Sequence, residues 1–176
     1  MRNVAIQKAQ SCDIDGISAV YDAVHKAEEA GRMTVGWARG VYPTADTARA
    51  ALARGDLFVM KEGKRIVGAA IINQTQVDVY AGAPWRHDAP EDQVMVLHTL
   101  AIDPGEAGRG YGSAFVAYYE RYAKAQRCRY LRMDTNEKNA RARAMYQRLG
   151  YAEIGIVPCV FNGIEGVKLV LLEKRL

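Results

Sequence analysis

The sequence predicts a mixed α+β domain built on one sheet, and three observations carry that prediction. Apolar residues switch between the two-residue period of strands and the three-to-four-residue period of helices along the whole chain. The order of these segments is strand, two helices, a run of strands, then helix, strand, helix, strand, strand. At 176 residues the chain has the length of one domain, and no linker, repeat or low-complexity tract divides it, so residues 1–176 are expected to form a single domain.

Residues 4–8 alternate apolar and polar like a short strand, and Ser11-Cys12-Asp13 supply capping side chains for a helix over 14–30 that Gly31 stops. A loop with Trp37 and Tyr42-Pro43-Thr44 follows, and Thr44 or Asp46 can cap an Ala-rich helix ending before Gly55. Strand-like runs at 56–61 and 65–74 flank Glu62-Gly63-Lys64, which reads as a hairpin turn. Residues 75–93 hold Gly82, Pro84, Pro90 and the acids Asp78, Asp88, Glu91 and Asp92, the composition of an irregular insert and a candidate substrate loop. Residues 94–103 are almost continuously apolar, as a strand buried on both faces would be, and Pro104 ends them. Tyr111, Phe115, Tyr118 and Tyr122 return to helical spacing, and a strand follows near 129–134. Ala142, Met145 and Leu149 form the stripe of a helix over 139–149, with Gly150 at its C′ position. Strands at about 152–157 and 167–173 close the chain, for about six or seven strands and about four helices.

Composition narrows the class. Hydrophobic residues make up 49% and charged residues 25%, near the averages for a globular protein, which argues against disorder. No apolar stretch approaches the ~18–20 residues that span a bilayer, and the first residues lack the apolar segment of a secretion signal, so neither secretion nor a membrane is expected. A net charge of +4 is mildly basic, short of a dedicated nucleic-acid binder. Cys12, Cys128 and Cys159 are odd in number and form no CxxC pair, which argues against a disulfide framework and a zinc site. A reducing cytoplasm and no metal are the expectation.

The chemistry concentrates in residues 98–115, HTLAIDPGEAGRGYGSAF. A buried strand runs into a glycine-rich turn (Gly108, Gly110, Gly112) that opens a helix, leaving backbone N–H groups unpaired at the positive end of the helix dipole. Such amides form an anion cradle, and a Cβ at the tightest points would hold a phosphate away from them. The alternative is a linker whose glycines only supply left-handed backbone. A dinucleotide-binding fold is disfavoured because no regular βαβ series surrounds the turn, and a P-loop lacks its Gly-Lys-Ser/Thr. A second constellation lies downstream, from Asn139 through Ala142, Tyr146 and Gly150 to Tyr151.

Together the two segments resemble the GCN5-related N-acetyltransferase (GNAT) superfamily. Its pattern is Leu-Ala-Val, a Pro, Gln/Arg-x-x-Gly-x-Gly/Ala and later Asn-x-x-Ala-x-x-x-Tyr-x-x-x-Gly-Phe, matched here by Leu100-Ala101-Ile102, Pro104, residues 107–112 and residues 139–151. One departure stands out, Ala107 in place of Gln or Arg, with Arg109 a candidate to supply the missing charge. The resemblance implies a GNAT-type mixed, mostly antiparallel sheet and a V-shaped opening between its central strands that takes acetyl-CoA as cosubstrate. Main-chain amides of Gly108, Arg109, Gly110, Tyr111, Gly112 and Ser113 would hold the pyrophosphate, and the backbone of Leu100, Ala101 and Ile102 would pair with the pantetheine arm. Asn139 and Tyr146 would complete the cofactor site. Charge is compatible, with ten Lys or Arg against five Asp or Glu between residues 100 and 150, although such arginines can equally form a solvated helix face.

The implied reaction is direct transfer of acetyl to a primary amine of a small molecule or a peptide N-terminus. It needs a neutral amine, a donor to the developing oxyanion and a proton for the departing thiolate. In the family a tyrosine at the position of Tyr146 meets the last need; packing beside Met145 is the structural alternative. His98 shares strand parity with Leu100 and Ile102, and an imidazole can accept a proton near neutral pH. The His98-Thr99-Leu100-Ala101 run resembles arylalkylamine N-acetyltransferases, where a histidine at this place helps relay the amine's proton. A histidine satisfied in the core, with Glu91 or Asp92 acting through water, is the alternative. The four acids of the insert could form an electronegative mouth for a cationic amine or simply be solvated; Trp37, Tyr42, Tyr80 and Trp85 could line the acceptor pocket or simply pack. No cysteine falls in these motifs, which disfavours a covalent intermediate. A non-catalytic acyl-CoA-binding or sensing module is the rival from another class. Nucleic-acid binding is weaker, because the arginines coincide with the cofactor motifs and no stacking aromatics accompany them. A homodimer is compatible with the resemblance.

Overall fold

The computed structural model describes residues 4–176. Strands β1 (Val4–Lys8), β2 (Leu57–Glu62), β3 (Arg65–Asn73), β4 (Val94–Ile102), β5 (Tyr130–Asn136), β6 (Ala152–Phe161) and β7 (Ile164–Arg175) join in one sheet of order β1-β2-β3-β4-β5-β7-β6. Every neighbouring pair is antiparallel except β4 and β5, which run parallel. Four α-helices flank it: α1 (Ile14–Glu29), α2 (Ala45–Arg54), α3 (Tyr111–Ala125) and α4 (Ala140–Arg148). This is the mixed, mostly antiparallel architecture expected.

The sheet is apolar on both faces, and each face takes a pair of helices. In β2 the side chains alternate: Phe58 and Met60 pack with Phe115, Val116 and Tyr119 of α3, while Leu57 and Val59 pack with Ile17, Val20 and Val24 of α1 and Ala48 and Ala51 of α2. The spacing of those α1 and α3 residues is one helical stripe each, so their amphipathic faces account for their place. Thr44 caps α2 in a reciprocal box with Thr47, and Gly55 ends it at φ +78°.

The insert at 75–93 forms single turns at Asp78–Tyr80 and Glu91–Gln93 and is tied down by one buried arginine. Arg132 of β5 pairs with Glu173 of β7 at 3.2 Å, donates to Gln76 Oε1 (2.7 Å) and the His87 carbonyl (2.9 Å), and lies 4.2 Å from the Trp85 ring centroid. His87 Nδ1 reaches the other Glu173 oxygen at 2.7 Å. Both ions are almost fully buried, so this network is costly to break at any one member.

Two departures from the sequence reading matter. The last hairpin is longer than expected, because Asn162 and Gly163 both take positive φ (47° and 83°) and make a two-residue turn between Phe161 and Ile164. In β4, pairing with β3 skips from Ala69↔Ala101 to Ile71↔His98, and Thr99 sits at φ 51°: a β-bulge. The bulge resets side-chain alternation. Leu97, Leu100 and Ile102 all face the α3–α4 core, while Ala101 faces the α1–α2 core beside Ile71, the cross-strand partner of His98. The expected parity of His98 with Leu100 and Ile102 is therefore corrected: the extra residue puts His98 on the opposite face.

Candidate active site

Parallel pairing of β4 with β5 runs from Val94↔Tyr130 to Leu97↔Met133 and stops. Beyond it, residues 98–102 stay with β3 while Asp134–Asn136 stay with β7, so the two strands splay. A cavity of about 580 Å³ fills the opening. Its lining runs from the glycine-rich turn and the first turn of α3, past Leu100, Ile102 and Tyr146, to Trp37, Tyr42, Asp134 and Phe161.

At the glycine end, Gly108 (φ +82°) and Gly110 (φ +76°) adopt the left-handed backbone that other residues resist. A Cβ at either would meet no protein atom within 4 Å, so glycine serves the turn's handedness rather than packing. Among the described residues, the N–H groups of 108–113 donate to no backbone carbonyl, and they lie in the turn before α3 and in its first turn. Such a concave run of amides fits a phosphate. The side chains behave differently. Arg109 is ion-paired to Glu62 (3.0 Å) and to Glu106, and Tyr111 turns into the core with its hydroxyl 3.2 Å from Glu62. Arg65 and Arg109 together hold the Glu106 carboxyl below its ordinary range. The charge of Arg109 is therefore largely matched already; Arg141 and Arg148 of α4 also line the cavity.

Leu100, Ile102, Ser113, Asn139 and Tyr146 line the cavity, whereas Ala101 lies on the other face and can offer only its backbone. Asn139 also caps α4, its Oδ1 accepting from Ala142 N at 3.2 Å. Tyr146 packs its ring edge-on to Tyr151, with centroids 6.0 Å apart, while its hydroxyl makes no hydrogen bond among the described residues. Burial, then the nearby Asp134 charge, push that hydroxyl's pKa up, so it keeps its proton. His98 does not line the cavity. Its Nε2 is 2.9 Å from Asn73 Oδ1, which also accepts from Thr75 N, so the ring N–H donates; Asn73 in turn donates to Asp56. Burial lowers the His98 pKa to about 4. Glu91 and Asp92 are exposed and outside the cavity, as are Asp78 and Asp88.

The sequence matches the family model described as acetyltransferase (GNAT) family over residues 19–151. The chain belongs to the GNAT acetyltransferase family. Solved structures agree in fold: a GNAT-family acetyltransferase from Streptococcus agalactiae 2603 is 24% identical with a TM-score of 0.80, covering 98% of this chain and 95% of the other. An N-acetyltransferase from Staphylococcus aureus Mu50 is 19% identical with a TM-score of 0.73, covering 98% of both chains. A ribosomal-protein-alanine N-acetyltransferase from Brucella melitensis is 18% identical with a TM-score of 0.72, covering 98% of this chain and 99% of the other. At such identities these likenesses speak to the fold alone, and no curated protein matches the chain in sequence.

In this GNAT enzyme the end of the cavity away from the glycine turn holds what sequence reasoning missed. Asp134, at the point where β5 leaves β4, accepts a 2.7 Å hydrogen bond from the Tyr80 hydroxyl, and burial pushes its pKa up to about 6. Trp37, Tyr42 and Phe161 meet edge-to-face beside it, centroids 6.2 and 5.3 Å apart, with the Tyr42 hydroxyl bonded to Thr99. Of the four aromatics singled out in the sequence, Trp37 and Tyr42 line the cavity. Tyr80 stands one step behind the lining, and Trp85 instead covers Arg132. One signal was present for Asp134. It and Arg132 alternate with Leu131 and Met133, putting two ionisable groups on one face of the strand opposite two apolar ones. Among the described residues no helix is long and apolar enough to cross a membrane, and no three His, Cys, Asp or Glu side chains gather as a metal site requires.

Proposed function

We propose that this acetyltransferase moves the acetyl group of acetyl-CoA directly to a primary amine, with both substrates held in the opening between β4 and β5. One observation carries the reading: a single cavity joins the glycine-rich turn at one end, Tyr146 along its wall and an aromatic recess at the other end. On this reading the amides of 108–113 hold the pyrophosphate, the free edge of β4 at 100–102 pairs with pantetheine, and Arg141 and Arg148 add positive charge where Ala107 offers none. Asn139 keeps its amide nitrogen for the cofactor while its oxygen caps α4. Tyr146 holds its proton and presents it to sulfur as thiolate charge develops. His98, across β4 from the cavity, could serve a proton relay only indirectly.

Two measurements on the same preparation test this. Acetyl-CoA should raise the melting temperature by binding the native state, and free thiol should appear only when acetyl-CoA and a primary amine are both present. A protein that shows no shift, or that binds acetyl-CoA and releases no thiol with any amine, is not this enzyme.

A further inference from the structure

We propose that Asp134 and the Trp37–Tyr42–Phe161 rings form an ammonium subsite, in which Asp134 takes the proton of a monocationic primary amine whose carbon body is apolar or aromatic. The proposal rests on the acetyl-CoA reading above and deepens it.

The geometry comes first. Asp134 sits where the strands part, on the wall of the same cavity as Tyr146. The Tyr80 hydroxyl fixes one of its oxygens at 2.7 Å, leaving the other lone pairs for a ligand. Groups from four further places face it: Tyr80 of the insert, Tyr42 of the loop before α2, Tyr146 of α4 and Cys159 of β6. All are phenols or a thiol with raised pKa values, hence uncharged near neutral pH; Arg132, on the same face of β5, is paired to Glu173, and among the described residues no cation is ion-paired to Asp134. A half-buried carboxylate on a cavity wall with no cation against it is matched by an ammonium. Beside it the three rings offer faces and edges for a carbon body and for cation–π contact, and Met33 and Val35 extend the apolar wall. An amino acid fits poorly, because its carboxylate would approach Asp134. A polyamine would place further charges against aromatic walls.

Proton bookkeeping closes. Asp134 takes one proton from R–NH3+, freeing the lone pair that attacks the thioester carbonyl. The C–S bond then breaks with its electron pair on sulfur, which takes the Tyr146 proton. The second proton shed by nitrogen on amide formation restores Tyr146, and Asp134 returns its proton to solvent. The net products are amide, thiol and one proton. A carboxyl titrating near 6 is matched to this task at neutral pH.

The test uses 2-phenylethylamine, spermidine and L-phenylalanine with wild type, Asp134→Asn and Tyr80→Phe, reading thiol release between pH 5 and 8 and acetyl-CoA binding by melting shift. 2-Phenylethylamine is cationic across that range, so an acidic limb belongs to the enzyme. Its kcat/KM should exceed that of the other two by about tenfold or more, with a limb near pH 6. Asp134→Asn, which still accepts from Tyr80, should bind acetyl-CoA normally, lose about 10²-fold or more in rate and lose the limb. Tyr80→Phe removes a bond that favours the carboxylate, so the limb should move to higher pH. An intact rate and limb in Asp134→Asn would overturn the base, and equal use of spermidine or phenylalanine would overturn the aromatic subsite. Failure of wild type to bind acetyl-CoA would instead sink the underlying reading, and this proposal with it.

Discussion

The two ends of the cavity are made differently. The cradle end is one continuous stretch of chain, residues 104–113, whose working groups are main-chain amides set by two left-handed glycines. The far end draws Trp37, Tyr42, Tyr80, Asp134 and Phe161 from four separate segments, brought together by a splayed strand pair, a bulge and a stapled insert. A backbone site tolerates almost any side chain that keeps its dihedrals. A side-chain site changes with each substitution. The same fold can therefore keep one cosubstrate while its acceptor end diverges.

The largest expected effect is at the cradle. Gly110→Asp can keep the fold, since Asp is among the residues that tolerate positive φ and its Cβ meets no neighbour. Its carboxylate, however, opposes an anion held by several charge-assisted bonds of ~1.5–3 kcal/mol each. The acetyl-CoA melting shift should vanish and kcat/KM should fall by about 10²–10⁴-fold, with Gly110→Asn, equal in shape but uncharged, falling much less. Equal losses in the two variants would mean the turn's geometry, not its electrostatics, sets binding. Next comes the point between the ends. Tyr146→Phe keeps the ring against Tyr151 and deletes only the proton, so kcat should drop by about 10²-fold with KM for acetyl-CoA nearly unchanged. An unchanged kcat would return Tyr146 to the core. A smaller effect is expected at Ala107, an exposed position beside the cradle where the family pattern has Gln or Arg. Ala107→Arg should lower KM for acetyl-CoA by up to about fivefold, the scale of a surface charge contact. No change would mean Arg141 and Arg148 already saturate that need.

The same contrast explains what the sequence made legible. Elements with local signals were placed closely: Thr44 and Gly55 bound α2, Gly63-Lys64 turns β2 into β3 one residue inside the expected Glu62-Gly63-Lys64, and Asn139 to Gly150 frames α4. The cradle was legible for the same reason, because its residues are neighbours in the chain. Asn162-Gly163 carried an equally local turn signal that went unread, which left β6 and β7 too short. The bulge had no such signal. VMVLHTLAI is apolar on both faces, so a reset of alternation leaves no trace, and Thr99 is not a residue that announces positive φ. Asp134 acquires its role only where β5 leaves β4, a consequence of long-range register.

The smallest effect tests the two half-buried titrating groups on opposite sides of that register, His98 and Asp134. Their linkage to stability has opposite signs. His98 has a folded pKa lowered from 6.5 to about 4, so between those values the unfolded chain binds more protons and stability falls as pH falls. Asp134 has a folded pKa raised from 3.8 to about 6, so across nearly the same window the folded chain binds more protons and stability rises as pH falls. In the wild type the two contributions largely offset one another. His98→Gln should thus make the melting temperature fall less steeply, or rise, from pH 6.5 to 4, while Asp134→Asn should make it fall more steeply. His98→Gln should also keep kcat within a few-fold and retain the acidic limb, because the side chain donates to Asn73 on the face of β4 away from the cavity. A melting profile shifted as described but a limb that disappears would place His98 in the proton path after all, working through the bulge at Thr99 rather than from the cavity wall.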